Sequence, residues 1–149
     1  MRAVLLCAVL LSGCATGGRS IERNALVARA WTGREPAAPE RARAVVAFAA
    51  AQVGKPYCWG GKGPRCFDCS GLAHAAWAYA GERLPRTSDE MAHRLQEVPL
   101  DDVRAGDILW WPGHVAIYAG SGWAIEALDR LHGVVQRPAY DPYRAFRPG

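Results

Sequence analysis

The chain has 149 residues, 50% of them apolar, with 18 Lys and Arg against 14 Asp and Glu. This supplies one folded domain plus extensions and excludes a disordered tail. The net charge of +4 is scattered, with no basic run or stripe. Nucleic-acid binding is therefore not expected, whereas an anionic polymer such as cell wall is compatible with the charge.

The chain opens with Met1-Arg2 and the apolar run Ala3 to Leu11. That run is too short to span a bilayer and reads as a signal peptide. It ends in Leu11-Ser12-Gly13-Cys14, which resembles a bacterial lipobox. In such signals cleavage leaves the cysteine first, carrying lipid. Residues 1–13 are then signal and Cys14 is the lipidation site. Ala15 follows, and the absence of Asp there resembles lipoproteins sent on to the outer membrane. An ordinary secretory signal with Cys14 incidental is the alternative. Either route ends in an oxidising compartment, here the periplasmic face of the envelope. Residues 14–39, with Gly17-Gly18, Pro36 and Pro39, read as a tether. Ile21, Val27 and Trp31 suggest a short docking helix, although their spacing is poor.

Residues 40–149 form the folded part. Glu40 to Val53 carries an apolar stripe through Val45, Val46, Phe48 and Ala49, with Pro39 before it and Gly54 to close it. The segment Lys55 to Cys66 is rich in Gly and Pro and reads as loop. Its glycines are not followed by Gly-Lys-Ser/Thr, so a phosphate-binding loop is excluded. Cys69 to Ala80 reads as an alanine-rich helix, capped by Asp68 or Ser70 and ended by Gly81. Thr87 and Glu90 form a capping box ahead of a helix through Met91, Ala92 and Leu95. Strands are expected at Asp107–Trp111, His114–Ala119, Trp123–Ala127, Val134–Arg137 and Tyr143–Arg147. Helices first and strands afterwards imply an α+β domain with an antiparallel sheet.

The cysteines are 7, 14, 58, 66 and 69. With Cys7 lost in the signal and Cys14 lipidated, three remain, which suggests one pair and one free thiol. Cys58 and Cys66 flank a flexible loop and make the expected disulfide, leaving Cys69 free. Two alternatives stay open. Cys66-Phe67-Asp68-Cys69 is a C-x-x-C, hence a redox pair. Cys58, Cys66 and Cys69 with His74 make a Cys3His zinc site. Cys69 sits where unpaired N–H groups and the helix dipole favour a thiolate. A base is available in His114, at the start of a strand. Pairing the next two strands around Ala119-Gly120-Ser121 sets His114 directly opposite Glu126. Glu126 then holds one imidazole nitrogen and leaves the other for the thiol.

This ordered set of motifs resembles the NlpC/P60 family of bacterial cell-wall cysteine peptidases. The matching residues are Tyr57-Cys58-Trp59-Gly60-Gly61, Asp68-Cys69-Ser70-Gly71-Leu72, Leu84-Pro85-Arg86-Thr87-Ser88, Gly106-Asp107 and Gly113-His114-Val115-Ala116-Ile117-Tyr118. The resemblance implies a papain-like core, with N-terminal helices packed on the sheet. It implies Cys69 as nucleophile and His114 as base, with Glu126 where the family usually has His. Tyr57 would help the Cys69 backbone N–H form an oxyanion hole, and Asp68, Ser70 and Arg86 would line the substrate site. The expected activity is endopeptidase cleavage of peptidoglycan stem peptides or crosslinks, near D-glutamate or diaminopimelate. Expected partners are peptidoglycan and, through the lipid, a membrane. The chain is expected to be monomeric, with no cofactor or metal. The alternatives are a catalytically silent wall-binding lipoprotein of the same fold, and a redox or zinc protein using Cys58, Cys66 and Cys69.

Overall fold

The structure is a computed structural model that describes residues 39–149. The signal, Cys14 and the docking segment around Trp31 lie outside the described residues. Three helices, α1 (Glu40–Ala50), α2 (Cys69–Tyr79) and α3 (Ser88–Arg94), precede a sheet of six strands. These are β1 (Gln96–Val98), β2 (Ile108–Trp111), β3 (His114–Gly120), β4 (Trp123–Asp129), β5 (Gly133–Pro138) and β6 (Arg144–Arg147). Their order across the sheet is β1-β6-β2-β3-β4-β5, and every neighbouring pair is antiparallel. The fold is the expected α+β arrangement. No described helix is long and apolar enough to cross a membrane.

α1 buries Ala42, Val45 and Ala49, which share one face at a spacing of three and four. It ends earlier than its apolar pattern, because Gln52 and Val53 make tighter bonds back to Ala49 and Ala50. Gly54, at φ +89°, then turns the backbone so that its N–H reaches the Val134 carbonyl on β5.

α2 buries Leu72, Ala73, Ala76 and Trp77 against α1 and the sheet. Its first turn presses on the preceding loop. A Cβ on Gly71 would lie 1.9 Å from the Gly61 carbonyl oxygen, so no side chain fits at that crossing. The capping box at Thr87 and Glu90 is formed in both directions.

Alternation along the strands gives the sheet two apolar faces. Val115, Ile117, Ile125, Ala127 and Phe146 pack under the helices. Ala116, Tyr118, Ala124 and Ala145 pack in a smaller core with Leu109 and Val98. β1, which sequence patterning does not announce, pairs along β6 from Gln96↔Arg147 to Val98↔Ala145. Arg147 also closes the end of the sheet away from His114. Its Nε and Nη2 donate to both oxygens of the buried Asp107, at 3.0 and 2.8 Å.

Candidate active site

The loop before α2 is built by short-range bonds. Cys58 N–H donates to the Phe67 carbonyl, Phe67 N–H to the Pro56 carbonyl, and Asp68 N–H to the Gly61 carbonyl. A disulfide joins Cys58 to Cys66, with Cα atoms 5.6 Å apart. Cys66 is therefore not paired with Cys69, and Cys69 is the free cysteine among the described residues. His74 donates from Nδ1 to the Leu84 carbonyl at 2.8 Å and is not part of this bridge. No described cluster of three or more His, Cys, Asp or Glu side chains could hold a metal.

Asp68 fixes the helix start. Its Oδ1 accepts from the Gly71 N–H at 2.6 Å, as an N-cap, and its Oδ2 accepts from the Gly60 N–H at 2.9 Å. Arg86 donates to both oxygens, at 3.1 and 2.8 Å, and to the Ser70 hydroxyl at 3.0 Å. Asp68, Ser70 and Arg86 thus meet beside Cys69, with their polar atoms engaged by one another. Tyr57 reaches the same region through its parallel bridge to Phe67. Burial raises the Tyr57 pKa, and the charges of Cys69 and Asp68 raise it further.

Cys69 is the first residue of α2, and His114 the first of β3. The two side chains lie close enough that each shifts the titration of the other. Burial acts to raise the Cys69 pKa. The His114 hydrogen bond, the imidazolium charge and the Val115 N–H outweigh it, and the thiol falls below its ordinary value of 9.0. Burial acts to lower the His114 pKa. The hydrogen bonds and charges of Cys69 and Glu126 win, and the pKa is raised from 6.5 to about 9. An imidazolium beside a thiolate is the favoured neutral-pH state of such a pair.

Glu126 bonds His114 Nε2, which leaves Nδ1 to the thiol. The route differs from direct opposition. Ser121 and Gly122 both take positive φ, at 50° and 82°, so the hairpin turns on two residues with a bulge beside it. Ile117 consequently faces Ile125 rather than Trp123. A shift of two keeps side chains on the same face. Glu126 therefore reaches His114 diagonally, and the length of its side chain makes the contact.

Glu126 is fully buried. Its second oxygen accepts from Arg137 Nε at 2.7 Å. Burial acts to raise its pKa, but the His114 and Arg137 bonds hold it below the ordinary carboxylate value. The Arg137 guanidinium lies 4.2 Å from the Tyr140 ring centroid. Tyr140 stacks on Trp111 at 4.3 Å, and Trp111 lies opposite His114 in the register. Sequence reasoning did not single out Arg137, Tyr140 or Trp111. The signal for Arg137 was its alternation on β5 beside β4, where Ala124↔Arg137 are paired and Glu126 stands diagonal to it.

Comparison with known proteins matches residues 54–147 to the model of the NlpC/P60 family. A probable endopeptidase of Corynebacterium glutamicum is 43% identical over 90 residues, which cover 58% of this chain and 43% of the relative. The chain thus spans less than half of that relative's length. Among solved structures, the NlpC/p60 domain of the peptidoglycan hydrolase SagA superposes with a TM-score of 0.66 at 31% identity. That match covers 72% of this chain and 98% of the other. RipD of Mycobacterium tuberculosis, described as a non-catalytic NlpC/p60 protein adapted to peptidoglycan binding, gives 0.63 at 29% identity. It covers 74% of this chain and 98% of that one.

The charge chain predicts a bell-shaped pH dependence for reactions of the Cys69 thiolate paired with imidazolium. The acid limb follows the lowered Cys69 pKa, and the alkaline limb follows His114 at about 9. Glu126→Gln removes the charge that holds the imidazolium, so the alkaline limb should move down by about one unit or more. Arg137→Met leaves Glu126 less compensated, so that limb should move up. The titration of the His114 ring resonances against pH checks both signs. Identical profiles in all three proteins would contradict the coupling.

Proposed function

This chain belongs to the NlpC/P60 family, and from that premise we propose that it is a cysteine endopeptidase of peptidoglycan. The observation that carries the reading is the continuous chain Cys69–His114–Glu126, with the free thiol at a helix start and the carboxylate fully buried. A wall-binding protein has no need of a buried carboxylate that raises an imidazole pKa beside a thiol.

In the proposed reaction the Cys69 thiolate attacks the carbonyl carbon of a stem-peptide bond. The Cys69 backbone N–H and the Tyr57 hydroxyl receive the developing oxyanion. The His114 imidazolium gives its proton to the leaving amine, and the C–N bond breaks. A water, deprotonated by the now neutral His114, attacks the acyl-enzyme; the C–S bond breaks and the thiolate and imidazolium return. Glu126 keeps the imidazole oriented throughout. Asp68, Ser70 and Arg86 hold the entrance side in shape. The disulfide braces the loop that carries Tyr57.

The lipobox-like Cys14 supports a lipid anchor, which gives the domain a place at the periplasmic face of the outer membrane. About 25 residues of tether reach up to roughly 80–90 Å when extended. The domain is proposed to act as a monomer. Cys14→Ala should leave a soluble or unprocessed product; a wild-type mature protein that is soluble and carries no lipid would rule out the anchor.

For the catalytic reading, Cys69→Ala and His114→Ala should each slow digestion of purified peptidoglycan by on the order of 10³-fold or more. The double variant should be scarcely slower than either single, since the pair acts as a unit. Mass spectrometry of the released fragments checks the rates and the bond. Wild-type digestion by Cys69→Ala would leave wall binding as the function.

A further inference from the structure

Two arginines in the site are committed to internal carboxylates: Arg86 to Asp68, and Arg137 to Glu126. A third, Arg130, is not. It is exposed, at the tip of the β4–β5 hairpin, and has no carboxylate partner among the described residues. Its neighbour Asp129 is engaged by the turn itself. One Asp129 oxygen accepts the N–H groups of Leu131 and His132 at 2.8 and 2.9 Å, and His132 Nδ1 lies 2.9 Å away. The turn therefore closes without Arg130.

The hairpin is also clamped to the loop that carries Tyr57. Val134 N–H donates to the Lys55 carbonyl at 2.8 Å, and Gly54 N–H donates to the Val134 carbonyl at 2.9 Å. Gly133, at φ +67°, permits this approach, because a Cβ there would sit 2.3 Å from the Lys55 oxygen. The clamp ties the turn to the chain two residues before Tyr57, and the Arg130 charge lowers the phenol's pKa while that of Cys69 raises it. An exposed guanidinium with no carboxylate partner among the described residues is thus carried on a turn tied to the Tyr57 loop. Its planar fork matches a carboxylate in two parallel hydrogen bonds.

We propose that Arg130 binds a carboxylate of the substrate peptide, one outside the scissile amide, and so selects acidic over amidated peptides. The proposal rests on the peptidase reading of the same site. Arg130 is a binding residue and takes no part in proton or thiol chemistry. Its effect falls between that of an exposed ion pair and a charged hydrogen bond closed off by ligand, about tenfold in affinity.

The test uses two synthetic stem peptides that differ only in a free carboxyl or a carboxamide on D-glutamate. The wild type should cleave the acid about tenfold more efficiently than the amide, mainly through KM, and the preference should shrink with added salt. Arg130→Gln should remove the preference, Arg130→Lys should keep part of it, and Arg130→Glu should invert it. A preference equal in wild type and Arg130→Gln would overturn the proposal. A second arm needs no cleavage. Calorimetric binding of both peptides to Cys69→Ala should show the acid preference, and Cys69→Ala with Arg130→Gln should lose it. If neither peptide is cleaved but this binding difference holds, Arg130 keeps its role and the peptidase reading fails. If the peptides are cleaved and the difference is absent, the peptidase reading stands and the Arg130 proposal falls.

Discussion

The site depends first on the Asp68 carboxylate. It sits one residue before the thiol and gathers three separate pieces of chain: the Gly60 N–H from the loop, the Gly71 N–H from the helix, and the Arg86 guanidinium from the segment before α3. Each bond alone is modest. A lost N-cap costs about 1 kcal/mol. Removing the carboxylate, however, would also leave a largely sheltered Arg86 without its counter-charge, a costlier loss. The same group fixes the start of α2 and hence the height of Cys69 over the sheet. The close crossing at Gly61 and Gly71 adds a steric limit, because neither glycine has room for a side chain.

From that fixed helix start the electrostatics run in one line. Cys69, His114, Glu126 and Arg137 alternate in sign when the first is ionised and the second protonated. Each member stabilises the charge of its neighbour in a setting where burial would otherwise suppress it. Glu126 in particular is fully buried and survives as an anion because both of its oxygens are bonded to cations. The Arg137–Tyr140–Trp111 stack then ties the outer end of the line to β2, where Trp111 pairs with His114. The carboxylate bonded to His114 thus comes with its own compensating arginine.

Much of this was legible in the sequence, for identifiable reasons. The three helices carry local signals: Pro39, the Asp68 cap with Gly81, and the Thr87–Glu90 box. The other five strands stand out as apolar and aromatic runs between turn residues. β1 does not, because Gln96-Glu97-Val98 is a short edge piece whose partner, β6, lies far along the chain. The hairpin register was displaced by two, since Ser121 takes a positive φ that its residue type rarely adopts. The His114–Glu126 contact survives because the side-chain period is also two. Arg137 was hidden for a different reason: its role depends on the β4–β5 pairing and on Glu126 being buried, which are tertiary facts.

The central claim is that this architecture keeps Cys69 ionised through His114. The direct measurement is the ultraviolet absorbance of the thiolate against pH, taken as the difference between wild type and Cys69→Ala so that one thiol is read. The account predicts a thiolate signal persisting well below the ordinary thiol value of 9.0, and a return of the transition towards that value in His114→Ala. A thiolate that appears only near the ordinary value, with the same transition in His114→Ala, would contradict it.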